Sequence, residues 1–253
     1  SYSFLNIPQK KLLENILTEV SSTDQKEGSI EQKVGDFYSS GMDVKTINER
    51  GFEPIQPILS AIDDIATISS LMSFVTDQIT TGNYSIIGMN VSPDNENSSV
   101  NILHFGQAGT GLPDRNYYFK TDAATVAIQN AYKKYLTTLF TLSESKNAKK
   151  DAAIVYNIEK KLAESHKTRV ERRNVKANYN KMAVSKINKS QPNIRWSKLL
   201  KQLNLKADEV DIMQPAYYNE LNTLLASIPI SDWKTYLKAR TLSTYADILS
   251  KPF

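Results

Sequence analysis

Two histidines, His104 and His166, are the only imidazoles in this 253-residue chain, and they stand 62 residues apart. A catalytic zinc needs about three converging ligands, commonly two His one helical turn apart with a Glu between them. His104 and His166 fall on different expected elements, so nothing local assembles such a site. There is no cysteine, which removes disulfides, thiol catalysis and thiolate-bound zinc. Serine catalysis lacks its Gly-x-Ser-x-Gly elbow, and no phosphate-cradling glycine pattern is present. Gly109-Thr110-Gly111, closed off by Pro113, reads as a turn. The adjacent acids Asp63 and Asp64 have the chemistry of an acid–base pair, but at an expected helix end they read as solvated. No catalytic and no metal-binding residue is therefore assigned.

Two other clusters hold more chemistry. Arg169-Val170-Glu171-Arg172-Arg173 follows a long expected helix. Guanidinium forks grip carboxylates and phosphates, so the run suits either an anionic ligand or a structural tie through buried pairs with Glu and Asp. The structural tie is the expectation. The second cluster is Leu112-Pro113-Asp114-Arg115-Asn116-Tyr117-Tyr118. Pro113 pre-sets a turn, Asp114 can bond its own backbone, and the tyrosines carry apolar bodies with polar tips. That describes a turn clamped to a core.

The elements that must position these clusters are mostly helices. Leu12, Leu13, Ile16, Leu17 and Val20 share a helical face, with Pro8 expected in that helix's first turn. Ser21 to Gly28 reads as a loop. Ser29-Ile30-Glu31-Gln32 has the form of a capping box, and Asp43 and Gly51 bracket a short helix. Pro54 and Pro57 precede Ile58, Leu59 and Ile62. A helix near 67–81 turns Ile68, Leu71, Met72, Val75 and Ile79 inward and stops at Gly82. Residues 84–91 and 100–105 are strand-like and flank a polar turn. This predicts one hairpin near 84–106, packed on a helical layer because an isolated hairpin is marginal in water. Beyond an Asp122 N-cap come stripes at Ile128 to Leu139, at Ala152, Val155, Ile158, Glu159 and Leu162, and at Trp196 to Leu203. Two more follow at Tyr217 to Leu225 and Trp233 to Tyr245. No repeat or long linker appears, so one mainly α, multi-helix domain over 1–253 is expected.

Apolar residues make up 40% of the chain, enough for a sizeable core. No apolar run reaches the roughly 20 residues that cross a bilayer. The first residues lack an initiator Met and the blocks of a secretory signal, so the chain is expected to start at a cut. Charge is uneven. Residues 1–120 hold 8 basic and 15 acidic residues, a balance of −7, and the remainder carries +11. Segment 160–206 alone has 14 basic and 2 acidic residues. No nucleic-acid fold motif accompanies it, so a solvated basic face is expected and no nucleic-acid partner. A gel shift that fades with salt would test the alternative.

Several stretches, taken together and in order, resemble the neprilysin and endothelin-converting-enzyme family of zinc metallopeptidases, including bacterial PepO-type members. They are Phe37 to Asp43, Gly111 to Tyr118, Thr168 to Arg173 with Tyr179-Asn180-Lys181-Met182, and Gln214 to Tyr218. Gly111-Leu112-Pro113-Asp114-Arg115-Asn116-Tyr117-Tyr118 is nearly the family's Gly-Leu-Pro-x-Arg-Asp-Tyr-Tyr signature. Gly41 stands where many members have Cys. The resemblance implies secreted, periplasmic or membrane-anchored endopeptidases with zinc in the full-length parent, a thermolysin-like catalytic lobe and a helical lobe covering a peptide chamber. This chain then corresponds to part of the covering lobe, lying before the family's zinc motif, with no zinc of its own. Its partners would be the catalytic lobe of the same polypeptide and a peptide substrate, and the lobe face left open would favour self-association. Some relatives place a basic residue and an acid beside the substrate's C-terminal side. Those positions fall near Ser1, Asn6 and Gln9, none of them charged, with Lys10 or Lys11 the nearest cation. The motif residues Gly111, Leu112, Pro113, Asp114, Arg115, Tyr117, Tyr118, Arg169, Glu171, Arg172, Arg173, Tyr179 and Asn180 are expected to be structural. A standalone peptide- or protein-binding module is the alternative.

Overall fold

A computed structural model describes residues 3–253 of the chain, the side chains of residues 3–7 excepted. Backbone packing divides it into two compact units: the residues up to Pro54 with Ala246–Phe253, and Ile55–Tyr245.

In the first unit, α1 (Ser3–Ser22) packs on α2 (Ile30–Met42), and α3 (Val44–Arg50) follows. The helices meet where Gly35 has no side chain: a Cβ there would stand 2.5 Å from the Val20 carbonyl oxygen. Pro8 lies inside α1 rather than in its first turn, because the helix already begins at Ser3. The missing proline N–H therefore interrupts the helix ladder. Ser29 caps α2 through the Gln32 amide, but Gln32 Oε1 returns its bond to the Gly28 N–H, one residue earlier than a capping box requires. Asp43 caps α3 by accepting from the Thr46 amide, and Gly51, at φ +58°, closes it. The α1 face expected to be inward stays open. Leu12 and Leu13 are each 59% exposed, and on α2 Phe37 is 82% exposed.

The second unit holds the core. Its helices are α4 (Gln56–Asp63), α5 (Ile68–Thr80), α6 (Asn116–Phe119), α7 (Ala123–Leu142), α8 (Ala148–Glu164), α9 (Arg169–Arg172), α10 (Val184–Ser190), α11 (Trp196–Gln202), α12 (Pro215–Ser227) and α13 (Ile230–Tyr245). Local chemistry sets their starts. Thr67 and Ser70 form a reciprocal capping box on α5, and Asp122 accepts from the Thr125 amide and hydroxyl on α7. Helix α13 packs against α8, α7 and α4. Asp63, at the end of α4, is not merely solvated: Lys238 on α13 pairs with it at 2.7 Å.

The expected hairpin is present and belongs to a larger sheet. Strands β1 (Gly88–Pro93) and β2 (Asn101–Gly106) pair antiparallel. Strands β3 (Lys181–Ala183) and β4 (Glu209–Ile212) extend them in the order β1-β2-β4-β3. β4 runs parallel to β2, with His104 opposite Asp211, and antiparallel to β3. Strands this short carry no readable alternation, so sequence patterning shows only the hairpin. The hairpin's first strand also begins at Gly88 instead of Tyr84. Ahead of it, the Tyr217 hydroxyl on α12 donates to the Ile86 carbonyl at 2.7 Å, in place of a ladder bond. On the buried side, Phe105 meets Trp196 edge-on at 4.9 Å, and Tyr218 packs on both.

Candidate functional site

The segment after β2 is where the sequence motifs converge. Residues 107–112 have no regular structure, yet side chains from many elements hold their backbone groups. The Gln107 amide donates to Gln214, and the Gln107 side chain exchanges two hydrogen bonds with the Lys167 backbone. His166 Nε2 donates to the Ala108 carbonyl at 3.0 Å, and Tyr236 donates to the Gly109 carbonyl at 2.9 Å. The amides of Gly111 and Leu112 both donate to the Tyr118 hydroxyl oxygen, at 3.1 and 3.0 Å. A loop with this many fixed groups is preorganised. Its glycines are required: Gly109 sits at φ +95°, and a Cβ on Gly111 would overlap the Tyr132 hydroxyl.

Beneath the loop lies a fully buried carboxylate, Glu159 on α8. Tyr118 donates to its Oε2 and Tyr132 to its Oε1, each at 2.9 Å. Arg240 on α13 approaches Oε1 with Nη1 at 3.9 Å, an ion pair without hydrogen-bond contact. Burial raises the Glu159 carboxyl above its ordinary range, and Arg240 and the two hydroxyls pull it back. Burial, together with the nearby carboxylate, raises both phenols. Sequence patterning does show Glu159, as an acid on the inward stripe of α8. Tyr132 likewise reads as one member of the α7 stripe with Ile128, Ala131, Tyr135, Leu136 and Leu139, but nothing in the pattern pairs it with Glu159 or singles out Arg240.

The rest of the motif spreads outward. Asp114 accepts from the amides of Asn116 and Arg169, at 2.9 and 3.0 Å. Arg115 donates to the Ala163 and Glu164 carbonyls at the end of α8, where a cation also suits the helix dipole. The Tyr117 carbonyl accepts from Gln129. Glu171 closes a capping box with Thr168. The buried pairs expected of the arginine run are not formed. Arg169, Arg172 and Arg173 are exposed, and among the described residues none is within 4.0 Å of a carboxylate. The reason is local: α9 is a four-residue surface turn whose own acid is used in its cap. The Tyr179 hydroxyl donates to Asp94 at 2.7 Å, and the Asn180 amide to Asp211 at 2.6 Å. Asp211 is also 2.8 Å from His104 Nδ1.

A cleft of about 210 Å³ opens over the loop, lined among others by Gly109, Pro113, Asp114, His166, Arg172 and Arg240. Burial lowers the His166 pKa to about 4, so its ring is neutral near pH 7. A pH dependence follows. The unfolded His takes up its proton near pH 6.5 and the folded one only near 4, so acidification across that window favours unfolding by roughly 3 kcal/mol. A second loss starts lower. The Glu96 amide, then the Tyr179 hydroxyl and Lys181, hold Asp94 at about 2. Its contribution is present above the unfolded carboxylate range and disappears as pH falls toward 2. Urea midpoints measured from pH 7 to 4 should fall for the native chain and stay flatter for His166→Gln. Parallel curves would rule out the His166 assignment.

The two histidines do not come together. His104 is tied to Asp211 within the sheet, and His166 to the loop. Among the described residues no cluster of three or more His, Asp or Glu side chains is placed to hold a metal ion, so these residues do not fit zinc. Gln9 and Lys10 are exposed on α1. Ser1 lies outside the described residues, as does the side chain of Asn6. No helix among the described residues is long and apolar enough to cross a membrane.

Compared with known families, residues 2–253 match the N-terminal profile of peptidase family M13. The chain belongs to peptidase family M13. Among M13 relatives, it is 26% identical to human (Homo sapiens) endothelin-converting enzyme-like 1, over 89% of this chain and 32% of that protein. It is 25% identical to an endothelin-converting enzyme homolog of Locusta migratoria, over 99% of this chain and 38% of that protein. Among solved structures, the open state of a Mycobacterium tuberculosis zinc metalloprotease superposes with a TM-score of 0.88 at 25% identity, covering 99% of this chain and 40% of that one. PepO from Lactobacillus rhamnosis shares the fold, with a TM-score of 0.80 at 18% identity over 96% and 39%. The M13 chain thus spans a third to two fifths of the length of these relatives.

Proposed function

We propose that this chain serves a zinc-dependent metalloendopeptidase of small peptides, as part of the helical lobe that walls the substrate chamber, and that it supplies no catalytic group itself. The observation that carries this reading is the match of residues 2–253 to the N-terminal part of the M13 family. The two histidines are held apart, His104 against Asp211 in the sheet and His166 against the Ala108 carbonyl. Zinc and the groups that activate water would come from polypeptide that the longer relatives possess and this match does not include. In this reading both compact units belong to the covering lobe, and the whole enzyme works outside the cytoplasm, secreted, periplasmic or membrane-anchored. The apolar side chains left open on α1 and α2, Leu12, Leu13, Ile16 and Phe37, would meet another surface, and in the isolated chain they would promote self-association.

The test is a quenched-fluorescence peptide assay on the purified 253-residue chain with added zinc. No chelator-sensitive cleavage and substoichiometric bound zinc are expected. Cleavage that a chelator abolishes would overturn the assignment. Sedimentation of the same preparation should show association rising with concentration; a monomer at every concentration would remove the self-association.

A further inference from the structure

We propose that the cleft over the 107–112 loop is a binding site for a small oxyanion, a carboxylate or a phosphate, gripped by Arg240 and Arg172. The argument starts from the Arg240 guanidinium. Its side chain is only 25% exposed. A guanidinium offers five N–H donors, and a buried donor without a partner is costly. Nε is buried with no hydrogen-bond partner among the described residues, and Nη1 comes no nearer to Glu159 than 3.9 Å. Its nearest carboxylate, Glu159, already accepts from a tyrosine on each oxygen. The guanidinium lines an open cavity, so an acceptor entering from outside would meet its terminal nitrogens and not the enclosed Nε.

The cavity suits one. Arg172 lines it and is in no ion pair among the described residues, so a second guanidinium is available for two-sided contact. Asp114, the one acid on the lining, has its oxygens engaged by the Asn116 and Arg169 amides. His166 spends its Nε2–H on the Ala108 carbonyl, so recognition falls to the two guanidinium groups. The loop forming the floor is fixed by its hydrogen bonds, so little ordering is needed on binding. A volume of about 210 Å³ accommodates a phosphate or a short carboxylic acid and excludes a folded partner. The site needs no catalytic lobe and no zinc, and it stands or falls separately from the peptidase reading.

The chain's two histidines make the test local. Ring-proton NMR resonances of His166 and His104 are followed while inorganic phosphate, acetate, N-acetylglycine and N-acetylglycine amide are titrated at constant ionic strength. The His166 resonance should shift saturably with at least one of the three anions and not with the amide, while His104 stays in place. Saturation by phosphate alone identifies a phosphate site; saturation by N-acetylglycine identifies a carboxylate site. Arg172→Gln, at an exposed position, should fold normally and weaken binding about tenfold, the loss of one charge-assisted contact. Arg240→Lys keeps the charge beside Glu159 but loses the fork, and should weaken binding by a similar factor. The proposal is overturned if no anion shifts His166 saturably, if the amide binds as well, or if both variants bind like the native chain.

Discussion

Replacing Glu159 with alanine is expected to destabilise the chain by about 3–5 kcal/mol, the range for breaking a buried charge pair by removing one member. The size comes from what is left behind. Tyr118 and Tyr132 lose the acceptor for their hydroxyls, and Arg240 loses its one counter-charge among the described residues. The Tyr118 oxygen also receives the Gly111 and Leu112 amides, so the damage reaches the loop. Glu159→Gln keeps one acceptor oxygen and the same shape, and should fall well short of the alanine loss. Urea unfolding of both variants checks this. A change below about 1 kcal/mol for the alanine variant would show that the tyrosine hydroxyls are satisfied without the carboxylate.

The second large effect is expected at Trp196, in the aromatic cluster with Phe105 and Tyr218. Its ring is fully buried against Phe105 and Tyr218, and its Nε1–H donates to Gln191 at 2.9 Å. Trp196→Ala removes that packing and leaves a cavity, for about 3–5 kcal/mol. Trp196→Phe retains an aromatic contact but leaves Gln191 Oε1 without its donor, so its loss should be roughly half. Because Trp196 and Glu159 share no partner, the losses in a double variant should add within about 0.5 kcal/mol. Strong non-additivity would mean that the aromatic cluster and the carboxylate cluster are one packing unit.

The helices were legible because burial imposes their period. Ala152, Val155, Ile158 and Leu162 are all buried on α8, as their spacing implies. The same logic misled at α1, where Leu12, Leu13 and Ile16 share a face that stays open: periodicity reports which side chains could be covered and not what covers them. The hairpin was readable from two six-residue strands. β3 and β4, at three and four residues, were not, since their pairing is decided by partners far along the chain. Of the clamped loop, the turn and the tyrosines could be read from the Leu112-to-Tyr118 stretch. The convergence on Glu159 could not, because the α7 stripe shows Tyr132 facing inward but not which helix it meets, and Arg240 carries no local signal. The arginine run was misjudged for a related reason. Residue types show what guanidinium groups can bind, whereas the exposure of α9 depends on its being one turn at the surface.

The parallel seam between β2 and β4 has a kinetic consequence. His104 and Asp211 meet only after more than a hundred intervening residues have been made and gathered, whereas β1 and β2 are joined by a short turn. Non-local closure of this kind slows folding. On the ribosome, the edge of β2 would wait with bare amides and carbonyls until β4 emerged, an interval in which a neighbouring nascent chain could pair with it instead.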